Sequence, residues 1–411
     1  MITIEIADMH WGVRNPEQYY KEMHNFIITK LKRMDELDII FIAGDIFDSK
    51  QYLYSQTLVW FSKFYGELLM CARMLDAKIV IIEGTKTHDS LQYSVIHKLF
   101  NSIYDCLFPY EDEDPDAYMN FEVIYTEKVD VLKYYCQWDD HEYDILLIPE
   151  EYIADQESYY KEYFDGKHYD MIIGHGMVDR IWYAKNKKED KQEGVLSTPV
   201  FNIKDFGELS TRTYFGHVHE HKYYGDVTGF TYIGPPSAWE FSSVKDYGMI
   251  LTTFEKGNFI KDEFLVNIEA PVYDTKILTI CQDYKLDDLN TQLDIMIQTA
   301  IKNGVYKLRV IVNMQNDLPT FQTMKDFIIT KLSNNPMVKL VLRTDLSSDT
   351  IDDEIIQAEN STEYTSNQIE DEEITIDVSS PIPEQVKTFI LKDSGKVVDV
   401  EIIKEILDSE E

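Results

Sequence analysis

Residues 38–48 read Asp-Ile-Ile-Phe-Ile-Ala-Gly-Asp-Ile-Phe-Asp, an apolar run that ends in a glycine and two acidic residues. A continuous run of branched and aromatic residues is typical of a strand that is buried on both faces. Gly44 lets the backbone turn sharply after that strand. Asp45 and Asp48 are therefore predicted to lie at the carboxyl end of a strand, where α/β sheets usually bind their ligands.

Strands of the same character lie on either side of this stretch in the sequence. Ile2–Ile6 and Lys78–Ile82 are short apolar runs, and apolar residues at helical spacing occupy the intervening Tyr19–Met34 and Leu58–Leu75. The resulting order is strand-helix-strand-helix-strand. It predicts an α/β sheet with loops emerging at the carboxyl ends of its strands.

Further elements are predicted along the rest of the chain. Up to residue 269 they are a helix at Leu91–Phe100 and strands at Val123–Tyr125, Leu132–Tyr135, Ile145–Ile148, Met171–Ile173, Thr213–Phe215, Thr231–Ile233 and Met249–Phe254. From residue 270 the pattern restarts, with strands at Val272–Cys281, Val305–Val312 and Val338–Leu342 and helices at Leu286–Lys302 and Phe321–Leu332.

These elements and the composition divide the chain into four predicted segments. Residues 1–269 form the main α/β domain, and residues 270–345 form a smaller unit with its own strand-helix order. Residues 346–380 are polar and acidic and are predicted to be a linker. Residues 381–411 are predicted to form two short amphipathic helices.

The chain is strongly acidic, with a formal charge of −35 over 411 residues. Residues 349–411 hold 19 acidic and 4 basic side chains, so an excess of 20 negative charges belongs to the rest of the chain. This charge argues against a broad basic surface for nucleic acid. If the substrate is DNA, metal ions, a few local lysines and arginines and a partner protein must supply the attraction.

The sequence also bears on the cellular setting. It has no run of 18 apolar residues that would suit a membrane span, and its first eight residues do not follow the secretory pattern. Its 4 cysteines are far apart and are expected to be reduced thiols. We therefore expect a cytoplasmic protein without membrane contact. The abundance of Ile, Lys, Asn, Asp and Tyr indicates an AT-rich genome, such as that of a virus in an infected bacterial cell.

Acidic and histidine side chains follow five of the predicted strands. In chain order, the motifs are Asp8-Met9-His10, Gly44-Asp45-Ile46-Phe47-Asp48, His88-Asp89, Gly174-His175 and Gly216-His217-Val218-His219. Residues two apart on a strand project to one side, so both can address one ion or neighbouring ions. Each motif alone also suits a solvated turn, a helix cap or a core histidine. All five together, in this context, predict a metal centre.

The order of these motifs resembles that of the calcineurin-like metallophosphoesterase superfamily, whose fold is a sandwich of two mixed sheets flanked by helices. Within it, Tyr232-Ile-Gly-Pro-Pro-Ser-Ala-Trp-Glu-Phe-Ser-Ser243, followed by Tyr247-Gly248-Met249-Ile250, is similar to the segment after the last metal motif in SbcD-type nucleases. Residues 270–345 suit the small α+β capping domain of that family in position and size. The resemblance implies a metal-dependent DNA exo- and endonuclease, here of a phage recombination type.

The resemblance also implies roles for individual residues. The ligands of one ion would be Asp8, His10, Asp45 and His219, and those of the second ion would be Asp45, His175 and His217. His88 would protonate the leaving oxygen or stabilise the transition state, and Asp89 would orient His88. Two Mn²⁺ or Mg²⁺ ions would activate a water and clamp the scissile phosphate.

One motif departs from the family's pattern. The family's third motif reads Gly-Asn-His-Asp and its Asn ligates the second ion, whereas this chain has Gly84-Thr85-Lys86-Thr87-His88-Asp89. Two residues are inserted, and Thr87 stands before the histidine. A hydroxyl is a poorer ligand than an amide oxygen, so we expect a second ion that binds weakly, needs substrate to complete its shell, or is lost. Lys86 is an alternative contact for a phosphate.

The resemblance implies partners as well as DNA. An SMC-like ATPase subunit of the SbcC type would dock on the C-terminal region. Alternatively, this region packs on the chain's own main domain. A homodimer would form through the helices at 19–34, 58–75 and 91–100. DNA would contact the basic loop that holds Arg180, Lys187 and Lys188, unless that loop is only a solvated charged segment.

Two other functions stay open from the sequence. A phosphatase of phosphoproteins or small phosphoesters would use the same ions, but those relatives usually place an Arg soon after the second motif, and here Ser49-Lys50 follows. A catalytically weakened scaffold of the same nuclease complex would suit Thr87. The retained His88, His175, His217 and His219 disfavour that alternative.

Overall fold

The fold is that of a computed structural model, in which the described residues are 1–52, 54–89, 92–93, 96, 98, 122–153, 155–178, 200–224, 229–238, 246–280, 284–314, 320–333, 335–343 and 353–356. The chain divides into two compact units, Met1–Glu363 and Tyr364–Glu411. The second unit lies outside the described residues, and so does the predicted helical segment at 381–411.

The first unit is built from strands and helices in alternation. The strands are β1 (Ile2–Ile6), β2 (Ile39–Ala43), β3 (Lys78–Ile82), β4 (Val123–Thr126), β5 (Asp130–Cys136), β6 (His141–Ile148), β7 (Met171–His175), β8 (Met177–Val178), β9 (Val200–Phe201), β10 (Thr213–Gly216), β11 (Lys222–Tyr223), β12 (Phe230–Tyr232), β13 (Gly248–Glu255), β14 (Asn258–Val266), β15 (Val272–Ile280), β16 (Val305–Met314), β17 (Val338–Arg343) and β18 (Asp353–Ile356). The helices are Pro16–Met23, the π-helical turn His24–Ile28, Thr29–Leu31, Gln56–Met74, Gln156–Phe164, Ile203–Leu209, Leu286–Lys302 and Phe321–Leu332.

Two six-stranded mixed sheets form the core of this unit. The first has the order β14-β13-β1-β2-β3-β4, in which β1 to β4 run parallel and β13 pairs antiparallel with both β1 and β14. The second has the order β11-β12-β10-β7-β6-β5, in which only the outer strands β11 and β5 pair antiparallel. The predicted α/β class with two mixed sheets is therefore confirmed.

The two sheets pack face to face because successive residues of a strand point to opposite sides. Phe41 of β2 packs with Ile145 of β6 in the core between the sheets. Ile40 and Ile42 point the other way and pack in a second core with the helix Gln56–Met74. Both faces of β2 are thus covered, which is what its continuous apolar sequence predicts.

Helices cover the outer face of the first sheet. The helical stretch that begins at Pro16 passes through the π-helical turn at His24–Ile28 and packs in the same core as Gln56–Met74. The longer helix begins at Ser55, whose hydroxyl accepts a hydrogen bond of 3.1 Å from the backbone N–H of Leu58. Such a cap satisfies one of the free donors at a helix start, and it sets the start two residues before the predicted one.

Two helices that the apolar pattern did not predict cover the outer face of the second sheet. Tyr160 of Gln156–Phe164 and Phe206 of Ile203–Leu209 belong to one aromatic core with Phe215 of β10. Both helices have fewer than three turns. So short a stretch is not long enough for a helical period to stand out in the sequence.

A third sheet follows residue 270, with the order β15-β16-β17-β18. Its first three strands run parallel, and the helices Leu286–Lys302 and Phe321–Leu332 pack with them around a separate core. β18 lies inside the predicted linker at 346–380 and pairs antiparallel with β17, which corrects that prediction over residues 353–356. Backbone hydrogen bonds to a sheet edge can hold an acidic segment that has little apolar surface to bury.

β14 is the longest strand that the sequence did not predict. Most of its residues are exposed or half-buried, so no apolar run marks it. It is held instead by antiparallel pairing along the length of β13. The predicted helix at Leu91–Phe100 falls largely outside the described residues.

Two findings bear on the expected cellular setting. Cys71 and Cys136 are buried free thiols. Within the described parts of the chain, no helix combines the length and the apolar composition needed to cross a membrane.

The carboxyl group of Glu5 in β1 is buried within the sheet sandwich. It accepts hydrogen bonds from the hydroxyls of Thr3 and Thr252, the latter at 2.9 Å. Burial raises the pKa of Glu5 from 4.5 to about 8, although the two hydroxyls act in the opposite direction. The fold therefore favours the protonated, neutral form of this side chain.

We expect Glu5 to make the protein less stable as the pH rises. Because its pKa is higher in the folded state, the stability it contributes is fully present below pH 4.5 and is lost as the pH rises to about 8. Glu5→Gln should flatten this pH dependence. Above pH 8, the free energy of unfolding of the variant should exceed that of the wild type by up to about 5 kcal/mol. Urea unfolding across the range measures the effect, with the exposed Glu255→Gln as control. Equal pH slopes for wild type and Glu5→Gln would contradict the prediction.

Candidate metal centre

The carboxyl ends of six strands come together at one edge of the two sheets. β1, β2 and β3 run parallel in the first sheet, and β6, β7 and β10 run parallel in the second. The segments that end or follow these strands hold the acidic and histidine side chains that the sequence singled out. Their side chains meet there because the two sheets pack face to face.

The first group of side chains consists of Asp8, His10, Asp45 and His219, whose candidate ligand atoms all lie within 4.8 Å of one another. His10 Nε2 lies 3.1 Å from His219 Nε2 and 3.8 Å from Asp45 Oδ2. Asp8 Oδ2 is buried and has no hydrogen-bond partner among the described residues. A buried carboxylate oxygen without a partner is unfavourable, and a cation would satisfy it.

The second group consists of Asp45, His175 and His217, again within 4.8 Å of one another. His175 Nδ1 donates to the carbonyl of Ala43 at 2.8 Å, which leaves Nε2 3.3 Å from Asp45 Oδ2. A backbone carbonyl that fixes one imidazole nitrogen in this way is the usual support for a metal-binding histidine. Asp45 belongs to both groups, as a bridging ligand would.

His88 lies beside the first group. Its Nδ1 donates to the backbone carbonyl of Asp48 at 2.5 Å, and its ring centre lies 4.7 Å from that of His10. His10, Asp48 and His88 form a third set of close candidate ligands. With Nδ1 held as a donor, Nε2 is the nitrogen that can exchange a proton with a substrate.

Asp89 does not have the predicted role of orienting His88. Its carboxylate is buried and accepts hydrogen bonds from the backbone N–H groups of Asp45 (2.9 Å), Phe47 (3.1 Å) and Gly84 (3.0 Å). Asp89 therefore ties the loop after β2 to the loop after β3. The carbonyl of Asp48 orients His88 instead.

The hydroxyl that reaches the second group belongs to Thr85, not to the predicted Thr87. Thr85 Oγ1 lies 3.2 Å from Asp45 Oδ2 and 3.4 Å from both His175 Nε2 and His217 Nδ1. Thr87 is exposed. The N–H groups of residues 88 and 89 both donate to the carbonyl of Thr85, so the inserted residues form a turn that carries Thr87 outward.

Glu150 also belongs to the site, although no sequence motif predicted it. It follows β6, and its Oε2 lies 3.1 Å from His217 Nδ1 and 3.6 Å from His175 Nε2. The signal that could have found it is an acidic residue shortly after a buried apolar strand, similar to the pattern of the other motifs. Pro149 stands between the strand and Glu150.

The backbone at the site adopts conformations that L-residues rarely use. Asp8 (φ 51°), His10 (φ 47°), Asp45 (φ 51°) and His217 (φ 86°) all have positive φ. Such conformations cost free energy and cluster where function requires a particular side-chain direction. Gly44 also has positive φ, and a Cβ there would lie 2.3 Å from His175 Nδ1.

Burial and mutual charge shift the pKa values of the cluster. Burial raises the pKa of Asp8 and lowers that of His10 to about 3. Burial would raise the pKa of Asp45, but the charge of His175 holds it below its ordinary value. Burial would likewise lower the pKa of His175, yet Asp45, Asp8 and Glu150 hold it well above its ordinary value. The cluster thus gathers carboxylates that favour a cation among them.

Of the basic side chains predicted to contact DNA or phosphate, only Lys86 lies within the described residues. Lys86 is exposed, and its ammonium lies 4.5 Å from the ring centre of Tyr152. This contact joins the loop after β3 to the segment after β6. Arg180, Lys187 and Lys188 lie outside the described residues.

The buried aspartate and histidine groups of this cluster could hold a metal ion. Carboxylate and imidazole ligands suit first-row divalent ions. Comparisons with models of known protein families and with curated protein sequences find no match for this chain. The interpretation of the site therefore rests on its geometry and on the order of its motifs.

We expect Gly84→Ala to disrupt the site. A Cβ on Gly84 would lie 2.2 Å from the backbone N of Asp45 and 2.4 Å from its Oδ1, so the loop carrying Asp45 must move. The free energy of unfolding should fall by about 1–3 kcal/mol, measured by urea unfolding in the presence of a metal chelator. Gly66→Ala is the matched control because a Cβ on this helical glycine meets no atom within 4 Å. A Gly84→Ala protein as stable as Gly66→Ala would refute the argument.

Proposed function

We propose that this protein is a two-metal phosphodiesterase that hydrolyses DNA, as the nuclease subunit of an SbcCD-like repair or recombination complex. The observation that carries the proposal is the position of Asp45, which belongs to two separate groups of candidate ligands at the meeting edge of the two sheets. A carboxylate shared in this way is the expected core of a site for two neighbouring cations.

In the proposed reaction, the metal ions and the side chains of the protein have different roles. When bound, two Mn²⁺ or Mg²⁺ ions would polarise the phosphate and lower the pKa of a water. His88 is half-buried beside His10, and its Nδ1–H is held by the carbonyl of Asp48. These contacts support a role for His88 Nε2 as the proton donor to the leaving oxygen.

The finer fold assignment is part of the proposal. Two face-to-face mixed sheets with helices on their outer faces support a metallophosphoesterase sandwich. The β15–β18 sheet, with its own core, supports a capping domain after residue 270. Because the chain is strongly acidic, the proposed nuclease subunit would rely on metal ions, a few local basic side chains and a partner ATPase for its hold on DNA.

DNA is the proposed substrate because of the segment after β12. β12 runs parallel to β10, so this segment leaves the sheet at the same edge as His217. Ser237 accepts a hydrogen bond of 2.6 Å from Arg14, which lies four residues after His10. The strand pairing and the Arg14–Ser237 hydrogen bond both support a position of this segment at the border of the site, and the resemblance to SbcD-type nucleases lies in this segment.

We expect His88→Ala to lower the rate of Mn²⁺-dependent DNA cleavage by about 100- to 10,000-fold, because a general acid would be lost. The exposed His168→Ala is the matched control and should cleave DNA at the wild-type rate. Cleavage of bis-p-nitrophenyl phosphate without cleavage of DNA would favour the phosphatase alternative. Inactivity of the wild type with every divalent ion would favour the scaffold alternative.

We also expect different metal losses from two ligand variants. Asp45→Asn removes charge shared by both groups, so it should weaken both ions, whereas His219→Ala should weaken only one. Manganese bound per chain, measured by mass spectrometry after desalting, reports the difference. Equal losses in the two variants would contradict the bridging role of Asp45.

A further inference from the structure

Glu150 lies where the two sheets meet, although no motif predicted it. It follows β6 of the second sheet, and its backbone N–H donates at 3.2 Å to the carbonyl of Glu83, directly after β3 of the first sheet. The side chain is almost fully buried, with 2% of its surface exposed. The hydrogen bond therefore holds the backbone of Glu150 against the first sheet, and burial keeps its side chain away from solvent.

The carboxylate of Glu150 faces the second ligand group. Its Oε2 lies 3.1 Å from both His217 Nδ1 and Thr85 Oγ1, and 3.6 Å from His175 Nε2. Ligand atoms at about 2.1 Å from one ion in octahedral geometry are about 3 Å apart. The 3.1 Å separations of Glu150 Oε2 from His217 Nδ1 and Thr85 Oγ1 match this spacing, and the 3.6 Å separation from His175 Nε2 is longer.

The chain lacks a conventional neutral ligand at this place. Thr85 directly follows Gly84, as an Asn does in the related motif, but its short side chain ends in a hydroxyl, which is a poor ligand. Glu150 brings an anionic oxygen to within 3.1 Å of that hydroxyl from the opposite sheet. A carboxylate is a stronger ligand for Mn²⁺ and Mg²⁺ than an amide oxygen because it carries charge.

We propose that Glu150 is a direct ligand of the second ion and replaces the missing amide, with Thr85 beside it. This inference rests on the proposed two-metal function. It gives the second ion the ligands Asp45, Glu150, His175 and His217. The second ion is then held more tightly than the hydroxyl alone would allow, and the substitution in the third motif does not mark a degenerate site.

The test is Mn²⁺ titration of the full chain by calorimetry, with electron paramagnetic resonance of the loaded protein. The wild type should bind two ions and give the signal of an exchange-coupled pair. Glu150→Ala should weaken the second ion by at least about 100-fold and give the signal of an isolated ion. Glu150→Gln keeps an oxygen without the charge and should lie between the two. It also keeps the size of the side chain should the alanine variant fail to fold.

Glu151→Gln is the matched control, because this neighbouring carboxylate accepts from Val129 N at 2.8 Å and from the hydroxyl of Tyr159, and not from the ligand groups. It should bind two ions as the wild type does. If Glu150 serves only as an ion-pair partner of the histidines, its removal leaves the second affinity unchanged or higher, which overturns this inference alone. A wild type that binds fewer than two ions overturns the proposed function with it.

Discussion

The burial of several carboxylates at one edge is the constraint on which the rest of the structure depends. Asp8, Asp45 and Glu150 have almost no exposed surface, and carboxylates are stable in such surroundings only beside cations or N–H donors. The chain supplies donors from its own backbone: Thr85 N–H to Asp45 at 2.6 Å and His217 N–H to Asp8 at 2.8 Å. These contacts require sharp turns directly after the strands. Such turns require positive φ at several of the candidate ligands and glycine beside them.

The sequence predicted the strands that carry the site because each is buried on both faces. The apolar runs at Ile39–Ala43 and Lys78–Ile82 correspond closely to strands, and the acidic or histidine residues after them lie at the predicted edge. The bounds of the helices Leu286–Lys302 and Phe321–Leu332 were also predicted to the residue, since their apolar spacing is regular and polar residues flank it in the sequence. Elements with little apolar contrast were not found, and β14 is the clearest of them.

The remaining wrong predictions concern residues whose neighbours in space differ from their neighbours in sequence. Counting back from His88 predicts Thr87 at the site, whereas counting forward from Gly84 predicts Thr85, and the turn between them decides which residue reaches the site. Asp89 adjoins His88 in sequence, but its carboxylate binds the backbone of another loop. Glu150 comes from the opposite sheet, so no local motif could connect it with Thr85.

The way in which the two sheets share the cluster has a mechanical consequence. Asp45 belongs to a loop of the first sheet, while His175 and His217 belong to the second, so an ion held by all three would act as a clasp between the layers. An ion whose free concentration is about a hundred times its dissociation constant adds about 2.7 kcal/mol to the free energy of unfolding. Divalent ion supply in the cell would then govern the lifetime of the folded chain against proteases, apart from any effect on turnover of substrate.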